Sequence, residues 1–166
     1  MGTELVQASW SSLEPSERKH VFSQVMTRIG QVLSTRNVRH LTSHSLDRYL
    51  PDVIEAMEKK NEPAGEQVAK QAVELACQML RCKKPEDAAL KGYIAVLAKC
   101  PADLLMNSIG VAIEKETHHV LPTPGALLAA ARPKREEREA MIANARFARE
   151  RLKISEDFRK RGIGMC

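Results

Sequence analysis

The stretch PEDAALKGYIAVLAKCPADLLMNSIGVAI (residues 85–113) decides the fold class. Before Cys100 its apolar residues recur every three or four positions, and after Pro101 the same spacing starts again. This spacing lines one face of an α-helix, so the stretch predicts two successive amphipathic helices. Proline disfavours helical geometry in the residue before it, which explains why the helical spacing ends at Cys100 and begins again after Pro101. The two stripes are Leu90, Tyr93, Ile94, Leu97 and Ala98, then Leu104, Leu105, Ile109 and Ile113.

The helical period continues on both sides of this stretch. Thr123 and Pro124 are typical of a helix N-cap followed by a first helical residue, and Pro51 divides one of the earlier segments. Aromatic residues make up only 4% of the chain, and we find no alternating pattern typical of strands. The sequence therefore predicts an all-α fold, a compact bundle of short helices with a basic, extended C-terminal helix. The further predicted helices cover residues 15–33, 41–60, 63–81 and 125–132.

The last part of the chain is basic. Residues 133–166 hold ten Lys/Arg and six Asp/Glu, a balance of +4, out of a net charge of +5 for the chain. Pro133 is expected to separate this segment, whose helical stripe of Met141, Ala145, Ala148 and Leu152 is thin. We expect the segment to bury little and to lie on a partner or extend into solvent. The predicted organisation is an N-terminal helical segment (1–62), a helical domain (63–132) and a basic C-terminal helix (133–166).

No sequence motif for catalysis or cofactor binding is visible. The chain contains no phosphate-binding Gly-x-x-x-x-Gly-Lys-Ser/Thr, no Gly-x-Gly-x-x-Gly and no His-Glu-x-x-His. The nearest approach to a metal cluster lacks the usual ligand spacing. The sequence predicts a non-enzyme with no cofactor and no metal site. That cluster consists of Glu114, Glu116, His118 and His119.

The cysteines indicate the compartment. Four residues separate Cys77 from Cys82, not the two that close a zinc knuckle. A dense disulfide framework is typical of small secreted proteins, and this chain has neither that density nor a visible secretory signal. We therefore predict reduced, structural thiols, a cytoplasmic location and no membrane association. The other two cysteines are Cys100 and Cys166.

Two motifs carry a resemblance to a known family: YIAVLAKCPADLL (residues 93–105) and LPTPGALL (residues 121–128). Together they resemble a small helical domain of phage and prophage replication proteins, including the non-ATPase loaders of replicative helicases. In that family a helix leads to a Tyr-Pro-Ala-Asp turn, a second helix, and an aromatic-Pro-Thr-x-x-Glu turn into a third. The resemblance covers residues 66–132. This chain departs from the family pattern at Cys100, Leu121 and Ala126.

The resemblance implies a non-catalytic adaptor that binds a replicative helicase, or another replication protein, to load or inhibit it. The basic C-terminal helix would then contact the partner or DNA, with Phe147 as an apolar anchor. Two alternatives stay open: a DNA-binding regulator that uses this helix, and an oligomeric helical interaction protein. For each candidate residue a solvated helix face stays equally open, because exposed ion pairs along a helix are ordinary. The candidate partner-binding residues are Arg135, Arg138, Arg146, Phe147, Arg149, Arg151 and Lys153.

Overall fold

The computed structural model describes residues 9–114 and 120–162. These residues form α-helices and short 3₁₀ turns without a β-strand, which confirms the predicted all-α class. The 3₁₀ turns are Trp10–Ser12, Val38–His40 and Ser45–Tyr49. The helices are α1 (Pro15–Ser34), α2 (Leu50–Lys60), α3 (Gly65–Leu80), α4 (Asp87–Leu97), α5 (Ala102–Glu114) and α6 (Pro124–Lys160).

Local chemistry explains where these helices begin. Pro15 is the first residue of α1, and the preceding Glu14 donates its backbone N–H to the Glu17 carboxylate at 2.8 Å. Thr123 caps α6, because its hydroxyl accepts the N–H of Ala126 at 3.2 Å. These contacts satisfy groups that a helix end otherwise leaves without partners.

The chain divides into two compact units. Unit 1 combines the described residues up to Met57 with those from Ala140 onward, and unit 2 covers Glu58–Glu139. The core of unit 1 is formed by the apolar face of α1, by the buried side of α2 and by small residues of α6. The α1 residues Val21, Val25, Ile29 and Val32 are all buried there, as their spacing predicts.

Unit 2 is built around α3, whose buried face consists largely of alanines that pack against α4 and α5. The chain enters α3 through Gly65, which has a φ of 78°, a conformation that favours glycine. The backbone N–H of Ala64 donates to the carbonyl of Cys100 at 2.9 Å, and that of Gly65 donates to Ala98 at 3.1 Å. The start of α3 is thus hydrogen-bonded to the end of α4.

The structure corrects two predictions about the C-terminal segment. Pro133 does not separate a short helix from it, because α6 runs through Pro133 without interruption. A proline keeps helical φ but removes one hydrogen bond, and α6 has buried residues both before it, at Ala131, and after it, at Ile142. The expectation that the segment buries little is also wrong: Ala145 and Ala148 are fully buried in the unit 1 core and Ile142 is 7% exposed.

The division into units differs from the predicted domain organisation. Residues 140–162 join the N-terminal helices in unit 1, so the C-terminal segment does not stand as a separate part of the fold. The buried Ser155 illustrates the association, since its hydroxyl donates to the carbonyl of Leu41 at 2.9 Å. None of the helices that the structure describes is long and apolar enough to cross a membrane.

Candidate functional site

The seven candidate partner-binding residues all lie on α6, but the helix directs them to different surroundings. Two of the arginines bind groups of their own unit. Others form ion pairs along the helix surface, and Phe147 is largely exposed. The structure therefore does not bring the seven together as one surface.

Arg151 closes the C-terminal end of α1. Its guanidinium donates to the carbonyls of Leu33 at 3.1 Å and Thr35, and more distantly to Arg36 at 3.4 Å. Carbonyls at a helix end lack helical partners, and a cation there also interacts favourably with the helix dipole. Arg151 therefore has a structural role in unit 1, and its role in partner binding stays a prediction.

Arg138 has the corresponding role in unit 2. It donates to the carbonyl of Lys60, the last residue of α2, at 2.7 Å. It also forms a bidentate pair with Asp103, at 3.1 and 2.5 Å. This pairing lowers the pKa of the Asp103 carboxyl, first through the hydrogen bond from Arg138. Arg138 thus joins the first turn of α5 to the end of α2 and is not available to a partner in this arrangement.

The remaining cationic candidates lie on the surface of α6. Arg135 pairs with Glu139 at 2.9 Å, and Lys153 pairs with Glu150 at 2.8 Å, a contact that lowers the pKa of Glu150. Arg146 also interacts with other groups of the chain. Exposed pairs of this kind contribute little to stability, so a partner can replace them at low cost.

The exposed apolar residues of α6 form the more distinctive feature. Phe147 is 60% exposed and Ile154 is 46% exposed, although both belong to a helix whose opposite face is buried. Ile154 is seven positions after Phe147, which is two helical turns and places the two residues on one side of α6. The guanidinium of Arg151 lies 6.0 Å from the centre of the Phe147 ring, between the two residues along the helix. We name Phe147 and Ile154 the α6 surface.

Phe147 was among the candidate residues predicted from the sequence, whereas Ile154 was not. The heptad spacing between Phe147 and Ile154 is visible in the sequence. The predicted stripe from Met141 to Leu152 packs on the inner side of α6, so it does not include this exposed pair.

The structure was searched for a metal site in residues 9–114 and 120–162. Those residues contain no cluster of three or more metal-ligating side chains. Three members of the acidic and histidine cluster considered from the sequence, Glu116, His118 and His119, lie outside the described residues.

Comparisons with known proteins give no match: no family model, no curated protein and no solved structure is similar to this chain.

Proposed function

We propose that the protein is a non-catalytic adaptor that binds a replicative helicase through the α6 surface. The observation that carries the proposal is the exposure of Phe147, a large aromatic side chain in water beside Ile154. Aromatic and arginine side chains are enriched where proteins bind one another, and a few such residues commonly supply most of the binding energy.

The organisation of unit 2 supports the replication context. The resemblance to phage and prophage replication proteins rests on helices joined by a Pro-Ala-Asp turn and a Pro-Thr turn. In the structure Pro101 directly precedes α5, and Thr123 caps α6. Both motifs thus start helices in unit 2, in the order that the resemblance requires.

Charge suggests which partner surface suits α6. The segment from residue 133 onward has an excess of four basic residues, and the Arg151 guanidinium lies 6.0 Å from the centre of the Phe147 ring. A partner with an apolar pocket surrounded by acidic side chains would complement both properties. The same segment carries six acidic residues, which disfavours close contact with DNA phosphates.

The test is a binding measurement between the full chain and the purified replicative helicase of the source organism. We expect Phe147→Ala to weaken binding by at least about tenfold, the effect of a central interface residue. Met79→Ala is the matched control, because Met79 is a similarly exposed apolar residue on α3. Point substitution is preferable to truncation at Arg132, which would remove Ala145 and Ala148 from the unit 1 core.

Three outcomes separate the hypotheses. Equal binding by wild type and Phe147→Ala would show that the helicase contacts residues outside the α6 surface. Absence of helicase binding by the full chain would reject the adaptor function. Salt-sensitive DNA binding in its place would favour the DNA-binding regulator, since phosphate contacts weaken steeply with salt.

A further inference from the structure

The C-terminal end of α3 brings two thiols together. Arg81 adopts a left-handed conformation with a φ of 53° directly after the helix. The N–H of Cys82 then donates to the carbonyl of Cys77 at 3.1 Å, and the N–H of Arg81 donates to Gln78 at 3.2 Å. These two bonds define a Schellman cap, a motif in which the side chains at the positions of Cys77 and Cys82 characteristically contact each other.

The surroundings of the two sulfurs agree with this backbone geometry. Burial, and then the neighbouring Cys82 with its side-chain hydrogen bond, raises the pKa of Cys77 to about 11. Tyr93 and Cys82 both pack against the unit 2 core. Burial, followed by the two nearby thiols, raises the pKa of the Tyr93 hydroxyl. Both cysteines are free thiols in the structure.

The pair is accessible from solvent. Cys77 is 6% exposed, whereas Cys82 is half-buried, and both line an open pocket of about 470 Å³. The ion pair between Lys84 and Glu74, at 2.7 Å, lies at the same pocket. Because Cys82 is the more exposed of the two thiols at this pocket, a small oxidant can reach the Cys82 sulfur first.

We propose that Cys77 and Cys82 form an oxidation site at which hydrogen peroxide, or another small peroxide, converts the dithiol into an intramolecular disulfide. The Cys82 thiolate attacks a peroxide oxygen, so an S–O bond forms, the O–O bond breaks, and the hydroxide released takes up a proton as water. Cys82 is then a sulfenic acid. The Cys77 sulfur attacks the Cys82 sulfur, the S–S bond forms, and the S–O bond breaks. Hydroxide leaves and takes the Cys77 proton as the second water.

The geometry explains why the second step is favoured over further oxidation of Cys82. The Schellman bond holds the two backbones close together before oxidation, so the resolving thiol needs no long approach. The closed disulfide ring would keep Cys82 against the last turn of α3. Oxidation is therefore expected to raise the unfolding temperature by fixing this cap.

The experiment treats the full chain, in a Cys100→Ser/Cys166→Ser background, with hydrogen peroxide and measures intact mass, thiol alkylation and peptide linkage. We expect a mass lower by two hydrogen atoms, loss of both alkylatable thiols, a cross-link between Cys77 and Cys82, and full reversal by dithiothreitol. Cys77→Ser in the same background is expected to give a Cys82 sulfenic acid that dimedone traps. Circular dichroism checks that each variant is folded.

Two results would overturn the proposal. One is retention of both free thiols at peroxide concentrations that oxidise free glutathione. The other is a gain of oxygen on Cys82 of the two-thiol protein without a cross-link, which would show that Cys77 does not resolve it. Because Cys100 is buried, the same cross-link is also sought by peptide mapping in the wild-type chain, so neither result depends on the substituted background.

Discussion

The two ends of α6 are packed by different means. In unit 2 the helix contributes the large buried side chain of Leu127, whereas in unit 1 its fully buried residues are the alanines Ala145 and Ala148 and the polar Ser155. Small residues allow helices to approach closely, so a thin apolar stripe indicates tight packing as readily as weak packing. The same helix thus contributes a large side chain to the core of unit 2, whereas in unit 1 its small side chains allow neighbouring elements to pack closely against it.

Removal of volume should affect the unit 2 end most. Leu127→Ala leaves a cavity at a site that is 1% exposed, and we expect a loss of about 2–5 kcal/mol in the free energy of unfolding. Urea denaturation of the variant and of Met79→Ala, an exposed control on α3, measures the difference. A loss no greater than that of the control would show that Leu127 does not fill a rigid core.

Loss of Arg151 tests the polar contact that accompanies the alanines in unit 1. Arg151→Ala leaves the carbonyls of Leu33 and Thr35 without their charged donor, and we expect a cost of about 1.5–3 kcal/mol. Arg149→Ala, an exposed arginine on the same helix, is the control and should have little effect. Equal urea midpoints for the two variants would contradict the structural role assigned to Arg151.

Addition of volume should instead affect the unit 1 end. Ala148→Leu places three further carbons where the alanine is fully buried, so we expect about 1–3 kcal/mol of destabilisation. The matched control is Ala143→Leu, because Ala143 is exposed on the same helix and leucine forms helices nearly as well as alanine. If both variants unfold at the same urea concentration, the close approach at Ala148 is excluded.

The smallest expected effect is that of Asp103, which has a lowered pKa and is 56% exposed. A carboxyl with a lowered folded-state pKa stabilises the protein above its unfolded value, 3.8, and loses that contribution as the pH falls through the folded value. We expect Asp103→Asn to cost about 1 kcal/mol or less at neutral pH, after allowance for solvent screening.

The pH dependence provides the control for Asp103. The stability difference between wild type and Asp103→Asn should shrink as the pH is lowered below about 4, in urea titrations at each pH. Glu139→Gln, in an exposed pair with Arg135, should show little difference at neutral pH. If the stability difference between wild type and Asp103→Asn grew as the pH was lowered, the assigned direction of the Asp103 pKa shift would be wrong.

Much of the fold was accessible from the sequence because helical periodicity is a local signal. The stripe of α1 and the restart after Cys100 are read directly from residue spacing. The continuation of α6 through Pro133 was not, since a proline inside a helical pattern is a local signal for a break. Whether a small residue such as Ala148 is buried likewise depends on residues distant in the chain.

The candidate site was less accessible for the same reason. Arg138 and Arg151 look like free basic residues in the sequence, and their acceptors lie 78 residues away at Lys60 and 118 away at Leu33. The contact between Cys77 and Cys82 depends on the left-handed conformation of Arg81, a position where glycine is the usual indicator. Phe147 was identified because an aromatic residue in a charged helix stands out locally. Its role in partner binding stays a prediction.

The entry into α3 has a consequence for hydrogen–deuterium exchange. Amides at the start of a helix ordinarily have no carbonyl acceptor and exchange quickly. Here the amides of Ala64 and Gly65 are bound to carbonyls at the end of α4. Fraying of α3 alone does not break these bonds, so their deuterium uptake should follow the separation of the two helices. The deuterium uptake of these two amides therefore reports the separation of α3 from α4 without an added fluorescent or spin label.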